Sequence, residues 1–307
     1  MDFLTLLNTV HTHRQLRQEG LGSSVIARKT RQKELTRLIP GVYTSAQDFP
    51  ELPFHQQYPY YLAAVFAKNP TAVFTHQSAA WLHGLAIDNP QKVDVYCPSN
   101  SRGRPYQVRK HYYLQEPELT TLHGFLQVTS LRQTLRDLCS YLHPADALIT
   151  VESALYQQRC QVAELGEYFA QHQGHRSRKI KILASLMSPL SESPGESRLK
   201  WVLYQSSLPM PEQQVKVEVQ GERFRLDFGY RKQKVALEFD GRTKYMGEDS
   251  RRVIYEELRR EKLLKNDGWE ILRYDWSTVV RRSQQIVTDL AGVLRRKGLD
   301  LSGQRRT

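Results

Sequence analysis

The sequence predicts a multidomain protein of mixed α+β and α/β class, and three observations predict it. At 307 residues the chain is too long for one small core. Helical and strand-like periodicities alternate along it without an internal repeat. A Ser/Pro/Gly-rich stretch, 188–195, separates a long mixed region from a compact run of strands. The expected domains are 1–50, a winged helix-turn-helix; 51–172, a mixed α/β middle; 173–192, a linker; and 193–300, a further α/β domain.

In the first domain, Phe3 to Val10 is an apolar helical segment, and Thr12 caps a second helix ending near Gly20. Leu21 and Gly22 turn the chain, and Ser23 or Ser24 opens a third helix. Leu35, Leu38, Ile39, Val42 and Tyr43 around Pro40-Gly41 read as two short strands. Two helices joined by a tight turn and followed by a hairpin are the order of a winged helix-turn-helix. The third helix and its flank carry Arg28, Lys29, Arg31, Lys33 and Arg37 as candidate DNA contacts. A solvated basic face is the plainer account of the same residues.

The middle region has an aromatic-rich helix from Phe54 to Lys68, whose Phe54, Tyr58, Tyr60, Tyr61 and Phe66 suit a core better than base stacking. Thr75 to Leu85 reads as a helix capped at Thr75 and closed by Gly84. Strands are expected at Lys92 to Cys97, Gln107 to Leu114 and Phe125 to Thr129. Helices are expected at Leu131 to Leu142, Pro144 to Gln158, Val162 to Gln171 and Ile180 to Met187. His11 with His13, and His76 with His83, lack a third ligand and read as structural.

The last domain opens with a helix from Glu196 to Ser206 behind Pro194-Gly195. Gln213 to Val219, Phe224 to Phe228 and Gln233 to Phe239 form an antiparallel meander. A basic helix, Val253 to Asp267, leads to a strand, Trp269 to Tyr274, and a final helix, Ser283 to Arg296.

Composition narrows the function. The net charge of +12 attracts polyanions, nucleic acid first, with anionic headgroups as the competing class. Apolar runs fall short of a membrane span and the N-terminus lacks signal-peptide features, so a cytoplasmic location without a membrane partner is expected. Cys97, Cys139 and Cys160 are far apart and odd in number, which suits reduced and mostly buried thiols.

The candidate chemistry lies in the last domain. Asp227 sits in an otherwise apolar strand, Glu238 on the next, and Asp240 two residues on, on the same face as Glu238. Converging carboxylates repel unless neutralised. A hard divalent cation, Mg²⁺ or Mn²⁺, would do so and would activate water against a phosphodiester. An Asp-Gly after a strand is also an ordinary turn.

The stretch from Ser193 to Trp276 resembles a PD-(D/E)XK nuclease-superfamily domain related to very-short-patch-repair endonucleases. Its matching segments are SPGESRLKWVL, FRLDFGY, VALEFDGRTKY, ELRREKLL and GWEILRYDW. That resemblance implies a restriction-endonuclease-like α/β fold. It implies catalytic roles for Glu196, Asp227, Glu238, Asp240 and Lys244, with metal held by Asp227, Glu238 and Glu196. Arg259, Arg260 and Glu261 would support the site. The sequence departs from the pattern at Asp240, which stands where a lysine is usual; Lys244 either supplies that charge or marks lost cleavage. Residues 1 to about 146 resemble AbiEi-type winged-helix antitoxins of abortive-infection type IV systems through LIPGVYTS, HQSAAWLHGL and VTSLRQTLRDL.

Two functions follow as expectations. One is a metal-dependent endonuclease that a winged helix positions on double-stranded DNA. The other is a non-catalytic DNA-binding regulator or antitoxin with a degenerate nuclease domain.

Overall fold

The computed structural model describes residues 3–98, 107–174, 176–241 and 250–302. Among them are thirteen α-helices and three separate sheets, a mixed α/β protein. The chain divides into two compact units, 1–141 and 142–307.

The first unit runs α1 (Phe3–Leu7), β1 (Val10–Thr12), α2 (His13–Gln18), α3 (Ser23–Arg31), β2 (Thr36–Ile39) and β3 (Val42–Thr44). Thr12 caps α2 as expected, in a full capping box with Gln15. The apolar segment read as helix through Val10 stops at Leu7, because Val10–Thr12 pairs antiparallel with β3 and completes a sheet ordered β1-β3-β2. Leu16, Ile26 and Leu35, with Leu21 and Tyr43 against them, form a small core joining α2, α3 and the strands.

Then come α4 (Phe54–Lys68), β4 (Val73–Phe74), α5 (His76–Leu82), β5 (Val93–Tyr96), β6 (Val108–His111), β7 (Leu119–Leu122), β8 (Leu126–Thr129) and α6 (Leu131–Tyr141). The five strands order as β6-β5-β4-β8-β7. Strands β4 and β7 have no counterpart in the expected elements: one is two residues long, and the other is a half-exposed edge. Tyr58 and Tyr60 of α4 are buried, and Phe54, Tyr61 and Phe66 pack against the core. That core also includes Phe3, Leu38 and Val42, so residues of the expected 1–50 and 51–172 segments share it.

The second unit runs α7 (Pro144–Tyr156), α8 (Val162–Ala170), α9 (Ser177–Leu186), α10 (Pro194–Gln205), β9 (Glu212–Val219), β10 (Glu222–Tyr230), β11 (Val235–Asp240), α11 (Ser250–Asn266), β12 (Glu270–Asp275), α12 (Trp276–Arg281) and α13 (Ser283–Arg296). The stretch read as linker thus contains α9 and lies inside this unit. Strands β9, β10 and β11 form the expected antiparallel meander, while β12 returns parallel to β11 after the α11 crossover. The sheet order is β12-β11-β10-β9. Helix α12, which was not expected, starts where the Asp275 carboxylate accepts the Thr278 amide. Among the cysteines only Cys139 is buried; Cys97 and Cys160 are half-buried, and all three are free thiols, which corrects the expectation of mostly buried ones.

Candidate functional site

The basic face of the first unit follows from its small core. With Ile26 turned inward, Arg28 and Arg31 of α3 point to solvent, and Lys33 and Arg37 are exposed on the flank and on β2. Lys29 instead forms an ion pair with Glu34. Four of the five expected contacts therefore lie open and one is engaged.

The second unit gathers the acidic candidates. Phe228 pairs with Leu237, so Asp227 and Glu238 lie one step further along the same two strands. Asp227 accepts the Phe239 amide at 2.9 Å. Glu196, in the first turn of α10, accepts the Ser193 hydroxyl at 2.7 Å, the Glu192 amide at 3.0 Å and the Gln214 side chain at 3.1 Å. Gly195 lets α10 come this close: a Cβ there would meet the Phe239 ring at 2.2 Å. Glu196, Asp227, Glu238 and Asp240 all line one cavity of about 470 Å³, together with Glu192, Arg225, Glu257, Arg260 and Arg273.

Burial, reinforced by the charges of Asp227 and Glu192, pushes the Glu196 carboxyl up to about 7. Glu238 is paired with both Arg260 and Arg273. Of the expected supporting residues, Arg260 is at the site. Glu261 meets Arg273 at 3.6 Å and Lys265 at 2.6 Å, and Arg259 turns away to Glu222. Lys244 lies outside the described residues.

Arg273, Arg225 and Glu192 were not among the sequence candidates. Arg273 was findable in principle, since GWEILRY is a strand and its arginine falls opposite Glu238 once β12 runs parallel to β11. Arg225 and Glu192, which pair at 2.7 Å, give no local signal.

A metal ion needs several oxygens free to converge on one point. Among the described residues no group of three or more His, Cys, Asp or Glu side chains is so arranged. The Glu238 oxygens are turned to guanidinium groups, and those of Glu196 to three donors. A divalent cation fits these residues only by displacing those donors.

A second polar cluster lies in the first unit. His76 and His111 stack with ring centroids 3.6 Å apart, and His111 reaches the fully buried Asp94 at 2.8 Å. Arg109 reaches the same carboxylate at 3.2 Å, and the Tyr113 hydroxyl donates to Asp137 at 2.6 Å. Thr75 holds the N-cap position of α5 without a side-chain bond to the helix amides, and its hydroxyl meets the His76 ring at 3.1 Å instead. His83 contacts the Thr129 carbonyl at 2.9 Å.

Residues 71–187 match the family described as the AbiEi antitoxin C-terminal domain. The chain is also similar to uncharacterized proteins from two strains of Mycobacterium tuberculosis, at 26% identity over 197 residues, covering 64% of this chain and 71% of each relative. Among the described residues no helix is long and apolar enough to cross a membrane.

Proposed function

We propose that the chain is a DNA-binding regulator of the antitoxin kind, with a C-terminal unit that keeps the outline of a nuclease-like domain as a non-catalytic platform. One observation carries this reading. Residues 71–187 match an antitoxin family. In support, α2 and α3 stand N-terminal to them in helix-turn-helix order, and α3 presents Arg28 and Arg31 to solvent. In such a motif the second helix enters the major groove while nearby lysines and arginines contact phosphates. Lys33 and Arg37 on the flank and wing are placed for the second task. The charge of +12 supports binding to a polyanion such as double-stranded DNA.

The test is retardation of a duplex fragment taken from upstream of the protein's own gene. Wild type retards it without cleaving it, and Arg28→Ala with Arg31→Ala releases it. Equal retardation by wild type and variant would overturn this use of α3.

A second reading, a Mg²⁺- or Mn²⁺-dependent deoxyribonuclease, is favoured by one observation: Glu196, Asp227, Glu238 and Asp240 face a single cavity. The resemblance of 193–276 to PD-(D/E)XK domains is its other support, as is the layout of a helix, a three-stranded meander and a parallel crossover strand. Plasmid nicking in Mg²⁺ or Mn²⁺ that disappears in Asp227→Ala would establish it over the first. Intact plasmid with both proteins supports the regulator.

A further inference from the structure

We infer that Glu238 and its neighbours Glu257 and Glu261 in the C-terminal unit are neutralised from within, by Arg260 and Arg273 with Lys265, in the place a divalent cation would otherwise take. This deepens the reading of that unit as non-catalytic, and it does not depend on DNA contact by α3.

The geometry comes from two elements. Strand β12 runs parallel to β11 with Arg273 directly opposite Glu238. The Arg273 Nε lies 3.3 Å from one Glu238 oxygen, and its two terminal nitrogens reach Glu257 and Glu261. Helix α11, crossing between those strands, brings Arg260 to the same carboxylate. Arg260 grips both Glu238 oxygens, one of them at 3.2 Å, and also reaches Glu257 at 2.9 Å and the Arg225 carbonyl at 3.2 Å.

Around Glu238 the charges balance, while Glu196, Asp227 and Asp240 line the same cavity outside that balance. Glu238, Glu257 and Glu261 face Arg260, Arg273 and Lys265, three against three. Glu192 is matched by Arg225 at 2.7 Å. Glu238 is only 9% exposed, so leaving its charge without a partner would be costly. A guanidinium suits this position because it is weakly hydrated and grips a carboxylate through two nitrogens. Mg²⁺ must first shed tightly held water. With two arginines in place, a cation entering the cavity gains little from Glu238 unless it displaces them.

The experiment melts the full-length protein in EDTA and in millimolar Mn²⁺ or Mg²⁺, followed by tryptophan fluorescence. Trp201, Trp269 and Trp276, three of the four tryptophans, report on this unit. The wild-type transition is expected to stay within about 1 °C across these conditions. The double variant Arg260→Gln with Arg273→Gln is expected to melt lower by roughly 5 °C or more in EDTA. Mn²⁺ is expected to restore part of that loss, because the uncovered carboxylates then have room for a cation.

A saturable rise in wild type that vanishes in Asp227→Ala would overturn the inference. So would a double variant that melts like wild type, or one that loses stability without recovering any in Mn²⁺. If the double variant does not fold, the wild-type titration decides alone. DNA retardation enters neither arm, so its failure would count against the proposed function only.

Discussion

Gly195 shows how a single residue sets the candidate site. Phe239 ring atoms lie 2.2 to 2.3 Å from where a Cβ would stand, so any other residue must push α10 or the ring away. Gly195→Ala is expected to destabilise the C-terminal unit by about 1–3 kcal/mol, read as a lower urea midpoint at unchanged slope. Pro194-Gly195 was legible as a helix start. Its second purpose depends on an aromatic ring 44 residues later in the chain, which no local pattern reports.

Glu196 carries a pH signature. Its folded carboxyl titrates at about 7 against an ordinary 4.5, chiefly through burial. Between those values the folded state holds the proton and the unfolded state has lost it, so stability falls as pH rises from about 4.5 to 7. His76 acts in the opposite sense. Burial, with the charges of His111 and Arg109, keeps its ring well below the ordinary 6.5. The unfolded imidazole takes up a proton first, so the first unit gains stability as pH rises toward 6.5 and loses it on acidification. Urea midpoints across this range should show a falling contribution that Glu196→Gln flattens; an unchanged slope in that variant would contradict the burial of Glu196.

At the scale of elements, the second unit is held together by helices expected in a separate region. Glu152 of α7 is fully buried and binds Lys200 of α10 at 2.7 Å, while the Ser188 amide donates to the same oxygen at 3.0 Å. Removing one partner strands a buried charge. Lys200→Met is expected to cost about 3–5 kcal/mol, and replacing both residues by apolar ones much less. Equal losses from the single and double replacements, measured by thermal unfolding, would contradict the pairing.

These elements show what the sequence reveals. Helices α4, α6, α7, α11 and α13 and the meander were legible because their periodicities are long and the first meander turn carries Gly221. Strands β1, β4 and β7 were not, since two to four residues make no period and their pairing is tertiary. The parallel return of β12 was equally hidden, and with it the Arg273–Glu238 pair that changes what the acidic cluster means.

At the scale of the whole molecule, two units carry two kinds of charge. The first presents Arg28 and Arg31 on α3, with Lys33 and Arg37 exposed beside them; the second encloses carboxylates of which Glu238 and Glu257 are met by arginines. Sequence motifs located both clusters, because residue types and strand alternation place them. Whether the carboxylates stand open or closed depends on pairing across the sheet and on α11, which lies beyond any motif. The proposed reading, a regulator that binds DNA through α3 and its wing, rests on the first of these clusters.

Its most direct test is a salt titration of duplex-DNA affinity by fluorescence anisotropy, wild type against Lys33→Ala with Arg37→Ala. Each phosphate contact adds roughly 0.9 to the slope of log affinity against log salt. The double variant is predicted to bind more weakly and to lose about 2 from that slope. An unchanged slope and affinity would contradict the account.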